Sequence, residues 1–352
     1  MTPRFHRVTT AALLGALSLG TAASASYVQL IDLPSLQATG GGNLVSTAID
    51  GNQGYALLNS SGGSAQIVRI DDIGGANNVS TLTDLAEFSS AAGTGITNLS
   101  GSIFDNGNSL YLADNTNDII WTISKATGGV IQLIDIEAAK GITSGSLGPQ
   151  FGAVDIDSDL VYYEFNTDEL DKSNGFLNGF STVLTDTELT TITGDDSPTG
   201  LGISSSGVYY LGQGSSGAGE DISFYDPSDG SFGTFLDEAA VAGPGNDVSY
   251  STTAFTVIGE TLYARDGGTN DRFISIDLGT GTVTTILDET DLTTGPALSD
   301  FAQDFSLFNG ELAWSQTIGA GGQVPGIYAV PEPATFALAG LGALAMLRRR
   351  SA

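Results

Sequence analysis

The feature that most constrains the fold of this chain is a short apolar segment that recurs along it. Six copies occur at intervals of 47 to 55 residues. Self-similarity at a fixed period of this length is typical of repeat architectures, in which one unit cannot bury its apolar face alone and stacks on its neighbours. The segments begin at Tyr55, Leu110, Val161, Val208, Leu262 and Leu312.

Further strands surround each of these segments. A short strand precedes each one across a joint rich in Asn, Asp and Gly, as in residues 103–107 and 306–310, and these residue types tolerate the positive φ of tight hairpins. A third strand with alternating apolar residues follows in most units, and a Gly-bearing link such as 126–129 leads several of them into a fourth. Helical patterns are nearly absent from the body of the chain.

Four antiparallel strands in each unit of about 50 residues predict an all-β fold, a β-propeller with six four-stranded blades. The unit around residues 171–193 fits this pattern only loosely, so a ring of seven blades is an alternative. A sandwich of two sheets is the other alternative, because short strands at regular spacing are typical of both architectures.

The two ends of the repeat region complement each other. Residues 27–33 (YVQLIDL) closely repeat residues 130–136 (VIQLIDI), a fourth strand, but no first three strands precede them. The last unit, 301–330, has three strands and lacks a fourth. We therefore expect the N-terminal strand to complete the final blade, which closes the ring and leaves no exposed sheet edge.

The first residues have the pattern of a signal peptide. Arg4 and Arg7 precede an apolar stretch at 8–20, and Ala23 and Ala25 flank one residue in the small-x-small pattern that signal peptidase cleaves. The alternative, an N-terminal membrane anchor, needs about 20 apolar residues, more than this stretch supplies. The predicted domains are a signal peptide at 1–25, a propeller body at 26–329 and a C-terminal tag at 330–352.

The charge of the body limits its partners. Residues 26–330 contain 39 acidic and six basic residues, a net charge of −33. Nucleic-acid binding depends on neutralising phosphates with Lys and Arg, so we do not expect the body to bind nucleic acid. Anionic membrane surfaces are disfavoured for the same reason. Two explanations of the acidity stay open, solubility in a salty medium and binding of divalent cations.

Two missing residue types limit the chemistry further. The chain has no Cys, and its one His, His6, leaves with the signal peptide. The mature chain therefore has no imidazole base, no thiol nucleophile and no His or Cys metal ligand, which excludes the usual zinc sites and catalysis by Ser-His-Asp or Cys-His. Carboxylate chemistry and Ca²⁺ held by oxygen ligands remain. No pair of acids stands out from the others, so the sequence singles out no catalytic residue.

Two stretches combine acidic and amide side chains at turns between predicted strands. Residues 155–159 alternate carboxylates, but Leu160 and Asn166 occupy the positions at which an EF-hand loop requires Gly and Glu. Residues 114–118 are also rich in oxygen donors, and both stretches are more often plain turns than cation sites. Ca²⁺ is the only cofactor they indicate. The candidate ligands are Asp114, Asn115, Asn117, Asp118, Asp155, Asp157 and Asp159.

The C-terminal residues form a tag with three parts. A Pro-Glu-Pro signature is followed by an apolar run at 334–347 and then by three arginines. As a short helix, this run spans about 21 Å, less than the ~30 Å hydrocarbon core of a bilayer. A basic cluster behind such a helix stays on the cytoplasmic side of the membrane. The tag residues are Val330, Pro331, Glu332, Pro333, Arg348, Arg349 and Arg350.

With its three parts in this order, the tag resembles the PEP-CTERM sorting domain, and the resemblance covers only about the last two dozen residues. It implies that the chain is attached transiently to the inner membrane. It also implies that an exosortase cleaves the tag and releases the chain to the bacterial cell surface or the extracellular matrix. The resemblance implies nothing about the activity of the body.

The sequence therefore predicts an exported protein whose body is a non-enzymatic binding or structural module. Signal peptidase and exosortase are its predicted partners during export, and extracellular polysaccharide or a surface protein is its predicted partner afterwards. The alternative is a secreted propeller hydrolase or lyase that uses carboxylates or Ca²⁺ at the mouth of the central channel. Since no motif ties this chain to such enzymes, the alternative depends on fold-level analogy.

Overall fold

Six four-stranded antiparallel sheets form the body of the protein. The computed structural model describes residues 27–330 apart from 60–63, 143–148, 166, 176, 178, 195–197, 214–219, 244–248, 268–271, 289–301 and 317–324. The first described strand is β1 (Val28–Asp32), and 23 further strands follow it. The sheets pack face to face around a central channel, so the architecture is the predicted β-propeller with six blades.

The first three blades are each built from four consecutive strands. Blade 1 comprises β2 (Asn43–Asp50), β3 (Gln53–Asn59), β4 (Gln66–Asp71) and β5 (Asn78–Asp84). Blade 2 comprises β6 (Gly101–Asn106), β7 (Ser109–Asp114), β8 (Ile119–Ser124) and β9 (Val130–Asp135). Blade 3 comprises β10 (Pro149–Val154), β11 (Leu160–Glu164), β12 (Glu169–Ser173) and β13 (Phe180–Leu184).

The next two blades repeat this arrangement, and the sixth takes one strand from the other end of the chain. Blade 4 comprises β14 (Gly200–Ile203), β15 (Tyr209–Gly212), β16 (Ile222–Asp226) and β17 (Ser231–Leu236). Blade 5 comprises β18 (Tyr250–Ile258), β19 (Thr261–Asp266), β20 (Arg272–Asp277) and β21 (Val283–Asp288). Blade 6 comprises β22 (Ala302–Phe308), β23 (Glu311–Gln316), β24 (Gly326–Ala329) and β1.

The ring closes as the sequence predicts. Strand β1 pairs antiparallel with β24, with Val28 opposite Ala329 and Asp32 opposite Gly326. Next to this seam, the rings of Tyr27 and Tyr328 meet edge to face with their centroids 5.8 Å apart. The edge of β24 is therefore covered by the chain's own first strand, which satisfies backbone groups that an open sheet would leave unpaired.

The loosely fitting third unit is a regular blade. Strand β12 pairs with β13 from Leu170 to Ser173, with one shift in register after Leu170. Blades 1, 2, 4 and 5 have the same shift between their third and fourth strands, so blade 3 has the pairing of the others. The count of six blades is thus confirmed, and the seven-bladed ring and the two-sheet sandwich are wrong.

The expectation that helices are nearly absent is also wrong. A short helix follows the fourth strand of every blade whose following segment the structure describes, and an aspartate carboxylate at the N-cap of four of them accepts a helix N–H. These helices have four to eight residues, which is too short to show a 3.6-residue period. They are α1 (Leu33–Leu36), α2 (Leu85–Ala92), α3 (Ile136–Lys140), α4 (Asp186–Thr193) and α5 (Glu238–Ala242).

The core lies between successive blades. The second strands are almost fully buried, and each helix also buries apolar side chains, such as Phe88 of α2, whose ring meets Trp121 edge to face at 5.1 Å. Burial of one large apolar side chain contributes roughly 1.5–3 kcal/mol. With no Cys in the chain, this packing and the closure of the ring are what hold the blades in place. The largest fully buried side chains include Trp121, Trp314, Tyr55, Tyr162 and Tyr163.

Candidate functional site

A channel with a volume of about 380 Å³ runs through the centre of the ring. It is lined by residues of the first strand of all six blades, among them Ile103, Val154 and Val257. Polar and apolar groups share the lining about equally, and the carboxylates that reach it are those of Asp105 and Asp304. A concave cavity in which a few polar groups converge is the usual place to look for a ligand site.

Asp304 projects into the channel from an irregularity in β22. Its φ is +49°, and the pairing of β22 with β23 shifts register between Gln303 and Ser306, which redirects the side chain as β-bulges do. The carboxylate accepts hydrogen bonds from the Thr47 backbone N–H at 2.9 Å and from the Ser315 hydroxyl at 3.2 Å. Burial raises the pKa of Asp304 to about 7.

Asp105 is held by a lysine at the edge of the channel. Lys125 Nζ lies 2.6 Å from Asp105 and 2.8 Å from Asp50, and it stands 5.2 Å from the centre of the Tyr55 ring. Burial raises the pKa of Asp105, and the hydrogen bond from Lys125 opposes this. This ion pair links blades 1 and 2, so Asp105 is less free than Asp304 to meet a ligand.

A second cluster, the Lys140 cage, lies where α3 of blade 2 meets blade 3. The ammonium of Lys140 is 2.6 Å from Glu164, 2.7 Å from Glu169 and 2.6 Å from Asp171. The side chains of Glu164 and Asp171 are fully buried, and that of Glu169 is 27% exposed. The Lys140 cage comprises Lys140, Glu164, Glu169 and Asp171.

The register of blade 3 explains why the three carboxylates meet. Strands β11 and β12 place Glu164 opposite Glu169 and Tyr162 opposite Asp171. Side chains directly opposite each other share a face of the sheet, as do residues two apart on one strand. The three carboxylates and the Tyr162 side chain therefore point from blade 3 toward α3, whose last residue is Lys140.

Burial sets the electrostatics of the Lys140 cage. It raises the pKa of Glu164 to about 7, helped by the nearby charge of Asp171 and opposed by the hydrogen bond from Lys140. Burial, together with the charges of Asp171 and Glu164, also raises the pKa of the Tyr162 hydroxyl. Burial alone would lower the pKa of Lys140, but its hydrogen bonds to Asp171, Glu164 and Glu169 hold that pKa above its usual value.

Three of the predicted cation ligands meet around another lysine. Lys172 Nζ lies 2.5 Å from Asp155, 3.1 Å from Asp157 and 3.5 Å from Asp159. Asp155 also accepts hydrogen bonds from the backbone N–H groups of Asp157 and Asp159, which shapes the turn between β10 and β11. We call Lys172 and these three aspartates the Lys172 cage. Their proposed role as Ca²⁺ ligands stays a prediction.

The other predicted ligands lie at the end of β7. The buried Asp114 carboxylate accepts hydrogen bonds from Asn117 Nδ2 at 2.7 Å and Trp121 Nε1 at 3.2 Å. The Asn115 backbone N–H donates to the Ser100 carbonyl oxygen, and Asp118 has a φ of +55°. Asp114 thus holds the β7–β8 turn against Trp121, and cation binding at these residues also stays a prediction.

The propeller ends directly at the predicted tag. Val330 is 8% exposed, and its backbone N–H donates to the Leu312 carbonyl oxygen. Residues 329–351 match the family of PEP-CTERM protein-sorting motifs. The chain carries a PEP-CTERM sorting motif. This motif implies an exported protein that an exosortase processes.

The remaining parts of the PEP-CTERM tag, and the signal peptide, lie outside the described residues. This applies to the predicted cleavage-site residues Ala23 and Ala25 and to the apolar run at 334–347. Within the described part of the chain, no helix is long and apolar enough to cross a bilayer. The tag residues outside the described part are Pro331, Glu332, Pro333, Arg348, Arg349 and Arg350.

Solved structures resemble this chain in fold. A gluconolactonase of Xanthomonas campestris, XC5397, is 14% identical, with 87% of this chain and 89% of that chain covered and a TM-score of 0.50. Virginiamycin B lyase of Staphylococcus aureus is 10% identical, with 83% and 81% covered and a TM-score of 0.49. At these identities the similarity shows the fold alone. No curated protein sequence matches the chain.

Proposed function

We propose that this chain is a non-enzymatic binding or structural module of the bacterial cell surface or extracellular matrix. The signal peptide at 1–25 directs export, and signal peptidase cleaves after Ala25. The apolar run at 334–347 then holds the chain in the inner membrane until an exosortase removes the tag. The observation that carries this proposal is the sorting motif, which starts where the last blade ends.

The distribution of charge supports a role in binding. The body carries 39 acidic and six basic residues, and its three lysines all lie in ion pairs with two or three carboxylates. Little positive charge is left on the loops to oppose the acids. Such a surface repels anionic polymers and attracts cationic ones. We therefore expect its partner to be a neutral or cationic polysaccharide or a basic surface protein.

Cell fractionation tests the delivery part of this proposal. In the natural host, the variant P331A/P333A is expected to stay in the membrane fraction, because an exosortase cannot cleave a tag without its signature. Wild-type protein should behave in the same way in a strain that lacks the exosortase. The control P227A replaces an exposed proline between β16 and β17 and should reach the surface normally. Normal release of P331A/P333A would contradict the proposal.

The alternative function, a secreted carboxylate-dependent hydrolase or lyase, is favoured by one observation. Asp304 faces the channel with a pKa raised to about 7, and a carboxyl group with such a pKa can act as an acid or a base near neutral pH. A screen of lactones and polysaccharides with wild-type protein and D304N tests this function. If wild-type protein turns over a substrate and D304N does not, the protein is an enzyme and the binding-module proposal is wrong. If wild-type protein binds a polymer without turnover, the binding-module proposal is supported.

A further inference from the structure

We propose that the Lys140 cage is a Ca²⁺ site, in which the ammonium of Lys140 is a tethered occupant that Ca²⁺ displaces. The ligands are the carboxylates of Glu164, Glu169 and Asp171, whose oxygens lie within 4.8 Å of one another. This site differs from the acidic turns that the sequence indicates. It is also independent of the proposed binding function, because it can be present in a surface module or in an enzyme.

The donor atoms of the cage match what Ca²⁺ requires. Ca²⁺ takes six to eight oxygen ligands from carboxylates, other protein oxygens and water. Two of the carboxylates are fully buried, and the partly exposed Glu169 leaves room for water. The Thr167 hydroxyl, which donates to Glu164 Oε2 at 3.0 Å, is a further oxygen at the same place. The cage offers neither nitrogen nor sulfur once Lys140 leaves, which favours a hard cation.

Buried oxygen atoms without a partner point to a missing ligand. The Tyr162 hydroxyl has no hydrogen-bond partner although the residue is fully buried. It lies on the same face of blade 3 as the cage. Glu164 Oε1 and Asp171 Oδ1 also accept no hydrogen bond. Buried polar atoms are nearly always paired, so three unpaired oxygens around one cluster indicate a cation or its bound water.

The charges of the cage favour exchange of the ammonium for a divalent cation. Three carboxylates face one ammonium, so the buried cluster carries excess negative charge, which is costly in a medium of low dielectric. A Ca²⁺ ion brings twice the positive charge of the ammonium to the same position. Lys140 is the last residue of α3, its backbone is partly exposed, and Gly141 follows it with a φ of +67°. We expect a change of rotamer to take its side chain to water when Ca²⁺ binds.

Calorimetric titration of the full-length, metal-free protein with CaCl₂ tests the site, and thermal unfolding at constant ionic strength gives a second readout. The variant K140M removes the competing ammonium and keeps an apolar stem, and E169Q removes the negative charge of one partly exposed ligand. The matched controls are K172M and D157N, which make the same kinds of change in the Lys172 cage.

We expect wild-type protein to bind Ca²⁺ and to melt at a higher temperature in CaCl₂ than in MgCl₂ at the same concentration. The Kd should fall about tenfold or more in K140M, because no ammonium has to be expelled. It should rise about tenfold in E169Q, because Ca²⁺ affinity follows the number of charged ligands. K172M and D157N should bind as wild-type protein does.

Absence of Ca²⁺ binding to wild-type protein would overturn the proposal, as would equal affinities in wild-type protein, K140M and E169Q. Weaker binding in D157N but not in E169Q would overturn it too, because the site would then be the Lys172 cage. If K140M folds only with CaCl₂ present, the proposal is supported. If K140M folds neither with nor without CaCl₂, the Ca²⁺ affinities of wild-type protein and E169Q decide whether the cage is the site.

Discussion

The two lysine cages at blade 3 have the same balance of charge but differ in burial. Each places one ammonium among three carboxylates. In the Lys140 cage the side chains of Glu164 and Asp171 are fully buried, whereas in the Lys172 cage the side chain of Asp157 is 69% exposed. Two of the three carboxylates are thus buried in the Lys140 cage, but only that of Asp155 is buried in the Lys172 cage, so water can replace more of the ammonium's partners there. Burial therefore decides whether such a cluster is a structural requirement or a solvated turn.

The largest difference is expected when each lysine is removed. In Ca²⁺-free buffer, K140A should lose about 3–5 kcal/mol of unfolding free energy, because it leaves buried carboxylates without a counter-charge. Urea denaturation followed by circular dichroism measures this loss. A loss of less than about 1 kcal/mol, the usual value for an exposed pair, would contradict the assignment of this cage as buried and charged.

The pH dependence of stability separates the cages next. Because the pKa of Glu164 is raised to about 7 in the folded state, the folded chain keeps a proton that the unfolded chain releases near its ordinary value of 4.5. Stability should therefore fall by about 2–3 kcal/mol as the pH rises from 4.5 through 7.

The variant E164Q should flatten this pH profile, measured by urea denaturation at a series of pH values. Asp304 also has a pKa raised to about 7 and contributes a slope of the same sign, so D304N is the matched comparison. Only the difference in pH dependence between wild-type protein and E164Q is due to the Lys140 cage. An unchanged profile in E164Q would show that Glu164 titrates normally.

Removing the hydroxyls of two neighbouring tyrosines should change the unfolding free energy by smaller amounts, with opposite signs. Without Ca²⁺, Y162F should gain about 1 kcal/mol, because it removes a buried hydroxyl that has no partner. Y163F should lose about 1 kcal/mol, because the Tyr163 hydroxyl donates to Asp168 at 2.7 Å. Thermal unfolding of both variants tests this. A loss in Y162F would mean that its hydroxyl is hydrogen-bonded in solution.

The smallest effect is expected in the Lys172 cage, which is the less buried of the two. K172A should lower the unfolding free energy by about 1 kcal/mol or less, since two of the three carboxylates it leaves behind, those of Asp157 and Asp159, are in contact with water. High salt should reduce even this effect, whereas it should alter that of K140A much less. A loss in K172A as large as that in K140A would remove the distinction between the two cages.

The sequence predicts the fold of this protein better than its sites. The apolar second strands repeat because each packs between two neighbouring blades, and the copy of β9 at the N-terminus identifies β1 as a fourth strand. The short helices are not found from hydrophobic periodicity, because they are too short to show it. Their aspartate caps, such as Asp84 before α2, are the signal that could have located them.

The cages show why the sites are harder to predict. The acids of the Lys172 cage alternate within five residues, so the sequence displays them together. Those of the Lys140 cage come from two strands, and their lysine comes from the end of the preceding helix. Alternation in β11 places Tyr162 and Glu164 on one face, but the register with β12 and the position of α3 follow only from tertiary packing. Asp304 depends likewise on a bulge in β22.

The closing seam also determines the order in which this protein can assemble. Gln29 and Tyr328, which meet across it, are 299 positions apart. An exported chain presents β1 first and β24 last, so β1 has no partner while the other blades form. Pairings over such long distances form slowly. Val330 joins the last strand directly to the sorting motif. In the export route proposed above, in which the tag holds the chain in the inner membrane, the seam therefore closes beside the membrane and before the exosortase cleaves the tag.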